Sequence, residues 1–197
     1  SALIQQLPNN AIWLGWSLGG LVATQIALRF PDKIKALITV ASSPCFMAQT
    51  TEIPQPWPGI ASEVLGQFST QLHQNLPKTV ERFLAIQAMG SETAKADILK
   101  IKSLVLAKPL PCEASLQQGL DMLAEVDLRD QLPNITRPWL RVWGKLDGLV
   151  PRRAINMLTK NANMEDVILA KASHAPFISH TNLFIEHINH WLNTLKA

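Results

Sequence analysis

No stretch of this 197-residue chain approaches the roughly 18 consecutive apolar residues that a membrane-spanning helix needs. The longest apolar runs, such as residues 34–41 with Lys35 inside, have the length of a strand. Two cysteines are too few for a disulfide framework. With no charged-then-apolar secretory pattern at the start, a reducing cytoplasm is the expected compartment. Charged residues make up only 17% against 47% apolar, the reverse of a disordered chain. The net charge of +3 is mild, and there is no arginine-rich block or basic-aromatic stripe. A nucleic-acid binder is therefore not expected. Repeats and low-complexity tracts are absent as well. What remains is one globular domain with a core, or one domain with a small subdomain.

Thirteen prolines punctuate the chain. Ala11-Ile12-Trp13-Leu14-Gly15 reads as a buried strand. Residues 18–30 then carry apolar side chains at helical spacing (Leu18, Leu21, Val22, Ile26) and stop at Pro31. Residues 34–41 read as a second buried strand. Strand, tight turn, helix and strand within some 30 residues form a βαβ unit, which implies a parallel sheet. The stretch 42–58, with Pro44, Pro54, Pro56 and Pro58, reads as a loop, and Trp57-Pro58-Gly59 as a rigid turn. From about 62 to 128 the pattern is helical throughout. Strands resume at Trp139-Leu140-Arg141-Val142-Trp143-Gly144 and Val167-Ile168-Leu169-Ala170. An amphipathic helix follows over 182–195, with Asn182 or Thr181 as its cap. The expected division is a core part over 1–45 with the first strands, a helical insertion over 46–132, and a second core part over 133–197.

The sharpest feature is Gly15-Trp16-Ser17-Leu18-Gly19-Gly20 between the first strand and the first helix. A serine on such a tight strand-to-helix turn is presented at the carboxyl end of its strand as a nucleophile. Side chains at Gly15 or Gly19 are expected to collide with backbone there. The N–H of Leu18 opens a helix and can donate to a developing oxyanion. A serine nucleophile needs a base, and the base an orienting acid. Of five histidines, His174 lies in a loop just past the last strand, where a base belongs in the order Ser…Asp…His; His180 is the second choice. His73, His187 and His190 lie on predicted helices. Asp147 stands in a glycine-flanked loop after the strand ending at Gly144, a position that also suits an ordinary Asx turn. Asp127 and Asp130 are weaker candidates. Cys45 and Cys112 lack a basic partner and are expected to be unreactive structural thiols. No histidine, cysteine and carboxylate cluster has metal-ligand spacing, so neither a metal nor another cofactor is expected.

Ser17, Asp147 and His174, in that order and each after a strand, resemble the α/β-hydrolase fold, and the helical insertion resembles that fold's lid. Several blocks narrow the likeness: Trp13 to Ala23, Val40-Ala41-Ser42-Ser43-Pro44-Cys45-Phe46, Thr79-Val80-Glu81-Arg82-Phe83-Leu84-Ala85, Leu146-Asp147-Gly148-Leu149-Val150-Pro151-Arg152 and His174-Ala175-Pro176-Phe177-Ile178-Ser179-His180. They resemble the carboxylesterases that demethylate pimeloyl-acyl-carrier-protein methyl ester in biotin synthesis. That resemblance implies a serine esterase with the triad Ser17, Asp147 and His174. It places Trp16, Leu18, Phe83 and Gln87 at the acyl site. The partner it implies is an acyl carrier protein, docking on a basic lid patch of Lys78, Arg82 and Lys95. A monomer is expected. The family has further strands, and a loop with a second oxyanion donor, ahead of the elbow. This chain begins about ten residues before it and is expected to be the C-terminal portion, with an unpaired sheet edge. Loss of one oxyanion donor costs about 10²–10³ in rate, so weak activity is expected of this portion alone. The readings that stay open are a broad short-chain esterase or a C–C bond hydrolase on the same triad, and a binding module or inactive fragment that kept the elbow.

Overall fold

The computed structural model describes residues 8–50, 56–109, 111–158 and 160–195; Pro54 of the expected loop lies outside them. Four parallel strands stand in the order β1 (Ala11–Trp16), β2 (Ile34–Val40), β3 (Trp139–Gly144) and β4 (Met164–Leu169). Parallel neighbours need long crossovers. Helix α1 (Leu18–Arg29) makes the first of them. Helices α2 (Ser62–Gln74), α3 (Leu76–Ile86), α4 (Ala94–Leu106) and α5 (Glu113–Glu125) lie within the second, and α6 (Arg152–Met157) within the third. Helices α7 (Pro176–Ser179) and α8 (Thr181–Thr194) close the described chain.

Both faces of the two central strands, β2 and β3, are covered, which is why they read as continuous apolar runs rather than alternating ones. On one face Leu37, Trp139 and Trp143 pack with Leu21, Ala27, Ala154 and Ile155. On the other, Ile38, Val40, Leu140 and Val142 pack with Phe184 and Trp191. Strand β1 pairs with β2, and its Ile12 and Leu14 are exposed. A third cluster joins Leu84, Ala88 and Ile101 of the insertion to Ala175, with Phe177 and Ile178 against it. The insertion thus packs onto the loop after β4.

A buried arginine and a half-buried aspartate on neighbouring strands fix the β3–β4 pair. Arg141 gives Nε and one terminal nitrogen to the two carboxylate oxygens of Asp166, each at 2.8 Å. Nε1 of Trp143 donates to the same carboxylate at 2.9 Å. Arg141 also lies 5.4 Å from the Trp139 ring. Burial alone would raise the Asp166 pKa, but the Arg141 and Trp143 hydrogen bonds, with the charges of Arg141 and Lys160, hold it below the usual carboxylate value.

Some boundaries differ from the sequence reading. Strand β4 begins three residues before Val167. The last helix begins at Thr181, but neither Thr181 nor Asn182 caps it; the Thr181 hydroxyl donates back to the Phe177 carbonyl at 2.8 Å. Helices α6 and α7 have six and four residues, too few turns to leave a periodic signal.

Candidate active site

The carboxyl ends of β1, β3 and β4 all open on one edge of the sheet, the edge where parallel α/β sheets carry their chemistry. Ser17 follows β1 with φ 53° and ψ −123°, a strained conformation for a residue with a side chain. Two contacts enforce it. The Ser17 N–H donates to the Val40 carbonyl at 2.9 Å, and its own carbonyl accepts from Gly20 and Leu21 as α1 begins. Gly15 allows the close approach: a Cβ there would sit 2.3 Å from the Gly19 carbonyl oxygen. Gly19 departs from expectation, since a Cβ at that position meets open space. The crowded second glycine is Gly20, where a Cβ would sit 2.5 Å from the Ser42 side chain.

The structure brings the three sequence candidates together. Nε2 of His174 is 2.9 Å from the Ser17 hydroxyl oxygen, and Nδ1 is 2.8 Å from Oδ2 of Asp147. A carboxylate can only accept, so Nδ1 carries the proton and Nε2 is left to accept from Ser17. The His174 and Asp147 side chains are 1% and 2% exposed, which removes competing water from their hydrogen bond. The other oxygen of Asp147 accepts from the N–H groups of Leu149 and Val150 at 2.8 and 3.0 Å. The Asx turn is real, and it aims the carboxylate instead of competing with the histidine. The Leu18 N–H occupies the first position of α1, where no intrahelical carbonyl reaches it. It is free to meet negative charge beside Ser17. The arrangement can deprotonate a hydroxyl, hold the resulting imidazolium and stabilise an oxyanion.

The other candidates fall elsewhere. His180 pairs with the Ser179 hydroxyl, and Asp127 with Arg129. His73 pairs with Glu113 on α5. Burial pushes the Cys45 thiol pKa up. Cys112 is exposed, and its pKa is lowered chiefly by a hydrogen bond with Ser115. Among the described residues, no group of three or more histidine, cysteine or acidic side chains could hold a metal ion.

Phe83 is half-buried, and its ring lies 5.3 Å from that of Phe68 at a tilt of 54°. Gln87 is buried beside the base: its carbonyl accepts the His174 N–H at 3.2 Å, and its side-chain oxygen is buried with no partner among the described residues. Ser173 adds a second tie to the insertion, donating its hydroxyl to the Met89 carbonyl at 2.6 Å. Residues 84 positions apart leave no local signature of such a bond, so sequence reasoning missed it. Trp16 gives its indole N–H to the His174 carbonyl at 2.8 Å. On the outer face of the insertion a groove of about 350 Å³ is lined by Lys78, Glu81, Arg82, Ala85 and Lys102. Lys95 is exposed on α4 but does not line that groove.

The sheet, the elbow and this relay define a class, and the α/β-hydrolase-fold family model matches residues 2–181. The chain belongs to that family. It is 61% identical over 195 residues to the pimeloyl-[acyl-carrier protein] methyl ester esterase of Shewanella oneidensis, covering 99% of this chain and 73% of that protein. A namesake from Shewanella sp. (strain MR-7) is 62% identical over the same shares. Among solved structures, an esterase from Exiguobacterium antarcticum superposes with a TM-score of 0.79 at 24% identity, over 99% of this chain and 70% of that one. The enol-lactonase of Burkholderia xenovorans LB400 gives a TM-score of 0.80 at 17% identity, over 97% and 69%. These two likenesses speak for the fold alone.

Proposed function

We propose that this protein is a serine carboxylic-ester hydrolase that removes the methyl group from pimeloyl-acyl-carrier-protein methyl ester, a step of biotin biosynthesis. The observation that carries the reading is the relay of Ser17 to the buried His174 and Asp147, on a chain 61% identical to an esterase of that name. Ser17 attacks the ester carbonyl while His174 takes its proton at Nε2. Asp147 keeps the imidazole in the required tautomer and balances its charge. The Leu18 N–H receives the oxyanion. His174 then returns the proton to the departing methanol, and water, activated by the same imidazole, releases the pimeloyl group. Neither metal nor cofactor enters these steps.

The acyl chain lies along Trp16, Leu18, Phe83 and Gln87, and the unpartnered oxygen of Gln87 gives that wall a polar point. The carrier is acidic and docks on the outer face of the insertion, where Lys78 and Arg82 share a face of α3 beside Lys102, with Lys95 on the adjoining helix. Exposed ion pairs are each worth about 0.2–1 kcal/mol, so this patch acts mainly on the association rate and weakens with salt. The protein works in the cytoplasm; among the described residues, no helix is long and apolar enough to cross a membrane.

Turnover of the carrier-linked ester and of the free methyl ester, by wild type and Ser17→Ala over rising salt, tests the reading. Ser17→Ala is expected to lose on the order of 10⁶ in kcat, and the preference for the carrier-linked ester is expected to shrink with salt. Retained activity in Ser17→Ala contradicts the triad. Equal turnover of both esters at every salt contradicts the carrier.

A further inference from the structure

The ring of His174 is oriented by Ser17 and Asp147, but neither fixes where the residue stands. His174 lies in the irregular segment between β4 and α7, with no ladder or helix to hold its backbone. Two bonds hold it instead. Its N–H donates to Gln87, and its carbonyl accepts from Nε1 of Trp16 at 2.8 Å. Trp16 ends β1 and immediately precedes Ser17, so the bond ties the base to the strand that carries the nucleophile, across 158 positions of sequence. The indole is itself well placed. It lies 5.6 Å from the imidazole, and it meets Phe177 edge-on at 5.0 Å. Its backbone is locked in register opposite Val40 of β2.

We propose that Trp16 is a positioning residue for the base: its indole N–H, donated to the His174 carbonyl, sets the distance between the imidazole and the Ser17 hydroxyl. The inference rests on the esterase reading above and assigns Trp16 a task beyond lining the acyl chain. A tryptophan suits this task because it combines a rigid ring, which packs on Phe177, with a single donor at its far edge. Removal of the donor leaves the His174 carbonyl without that partner and frees the segment to shift. Small displacements of a catalytic group cost rate out of proportion to their size.

Trp16→Phe in the full chain keeps a ring against Phe177 and deletes the donor. Its kcat is expected to fall about tenfold while KM changes by less than about twofold. The low-field proton resonance of the His174 to Asp147 hydrogen bond is expected to shift or broaden. An unchanged kcat with an unchanged resonance overturns the proposal. So does a raised KM at unchanged kcat, which makes Trp16 a wall of the acyl site only. If Trp16→Phe fails to fold, benzothienylalanine placed at position 16 replaces the N–H by sulfur at nearly constant shape and is read by the same two outcomes. Ser17→Ala run in parallel separates the two levels. An inactive Ser17→Ala beside a Trp16 variant of normal kcat sinks the positioning role alone, whereas an active Ser17→Ala sinks the esterase reading itself.

Discussion

Ser17 sits in a backbone conformation that costs energy, and the residues around it show what maintains the strain. Gly15 removes a side chain that would press on the Gly19 carbonyl, and Gly20 removes one that would press on Ser42. Gly19 removes nothing that space requires. Gly15→Ala is therefore expected to open the elbow and to lower both esterase activity and thermal midpoint. Gly19→Ala, at a helical position with room for a Cβ, is expected to leave the fold intact and to stabilise it by up to about 1 kcal/mol. Parallel melting curves and turnover of the pair check this; equal damage from both contradicts the geometry. The glycine spacing is legible in the sequence, because the elbow motif prescribes it. Which of Gly19 and Gly20 is crowded is not, because that depends on Ser42, which reaches the turn from the end of β2.

Sequence pattern disclosed the central strands β2 and β3 and the long helices well, since burial on both faces and helical periodicity are local properties. It overstated the burial of β1, whose Ile12 and Leu14 are exposed on a strand that pairs only with β2 among the described residues. It also disclosed Ser17, His174 and Asp147, because each stands in a distinctive loop just past a strand. It could not disclose the buried Arg141, which reads as one polar break in the strand Trp139–Gly144 until Asp166 is placed opposite on β4. That pair makes a prediction about elements. Asp166 has a folded pKa below its unfolded value, so the native state binds fewer protons and the group stabilises the fold above the unfolded value of about 4. The contribution is lost as pH falls from there through the folded pKa. Denaturant unfolding of wild type between pH 5 and 3 is expected to lose stability more steeply than that of Asp166→Asn, whose side chain does not titrate. Identical slopes contradict the assignment. The ties of Gln87 and Met89 to the base loop were equally illegible, since they join backbone carbonyls to residues more than eighty positions away.

At the scale of the whole molecule, the sheet delivers three loops to one edge, and the insertion lies over them. Its inner side reaches His174 through Gln87 and Ser173 through Met89, while its outer side carries Lys78 and Arg82. One element thus faces both the base and the proposed carrier. Everything in this account depends on Ser17 being a nucleophile activated by His174. The most direct measurement is the intact mass and peptide map of the folded full chain after exposure to a fluorophosphonate, for wild type and for His174→Ala. The account predicts a single covalent adduct on Ser17 in wild type, and labelling of His174→Ala slower by several orders of magnitude. A folded wild type that takes up no label at Ser17, or a His174→Ala variant labelled as fast as wild type, would contradict it.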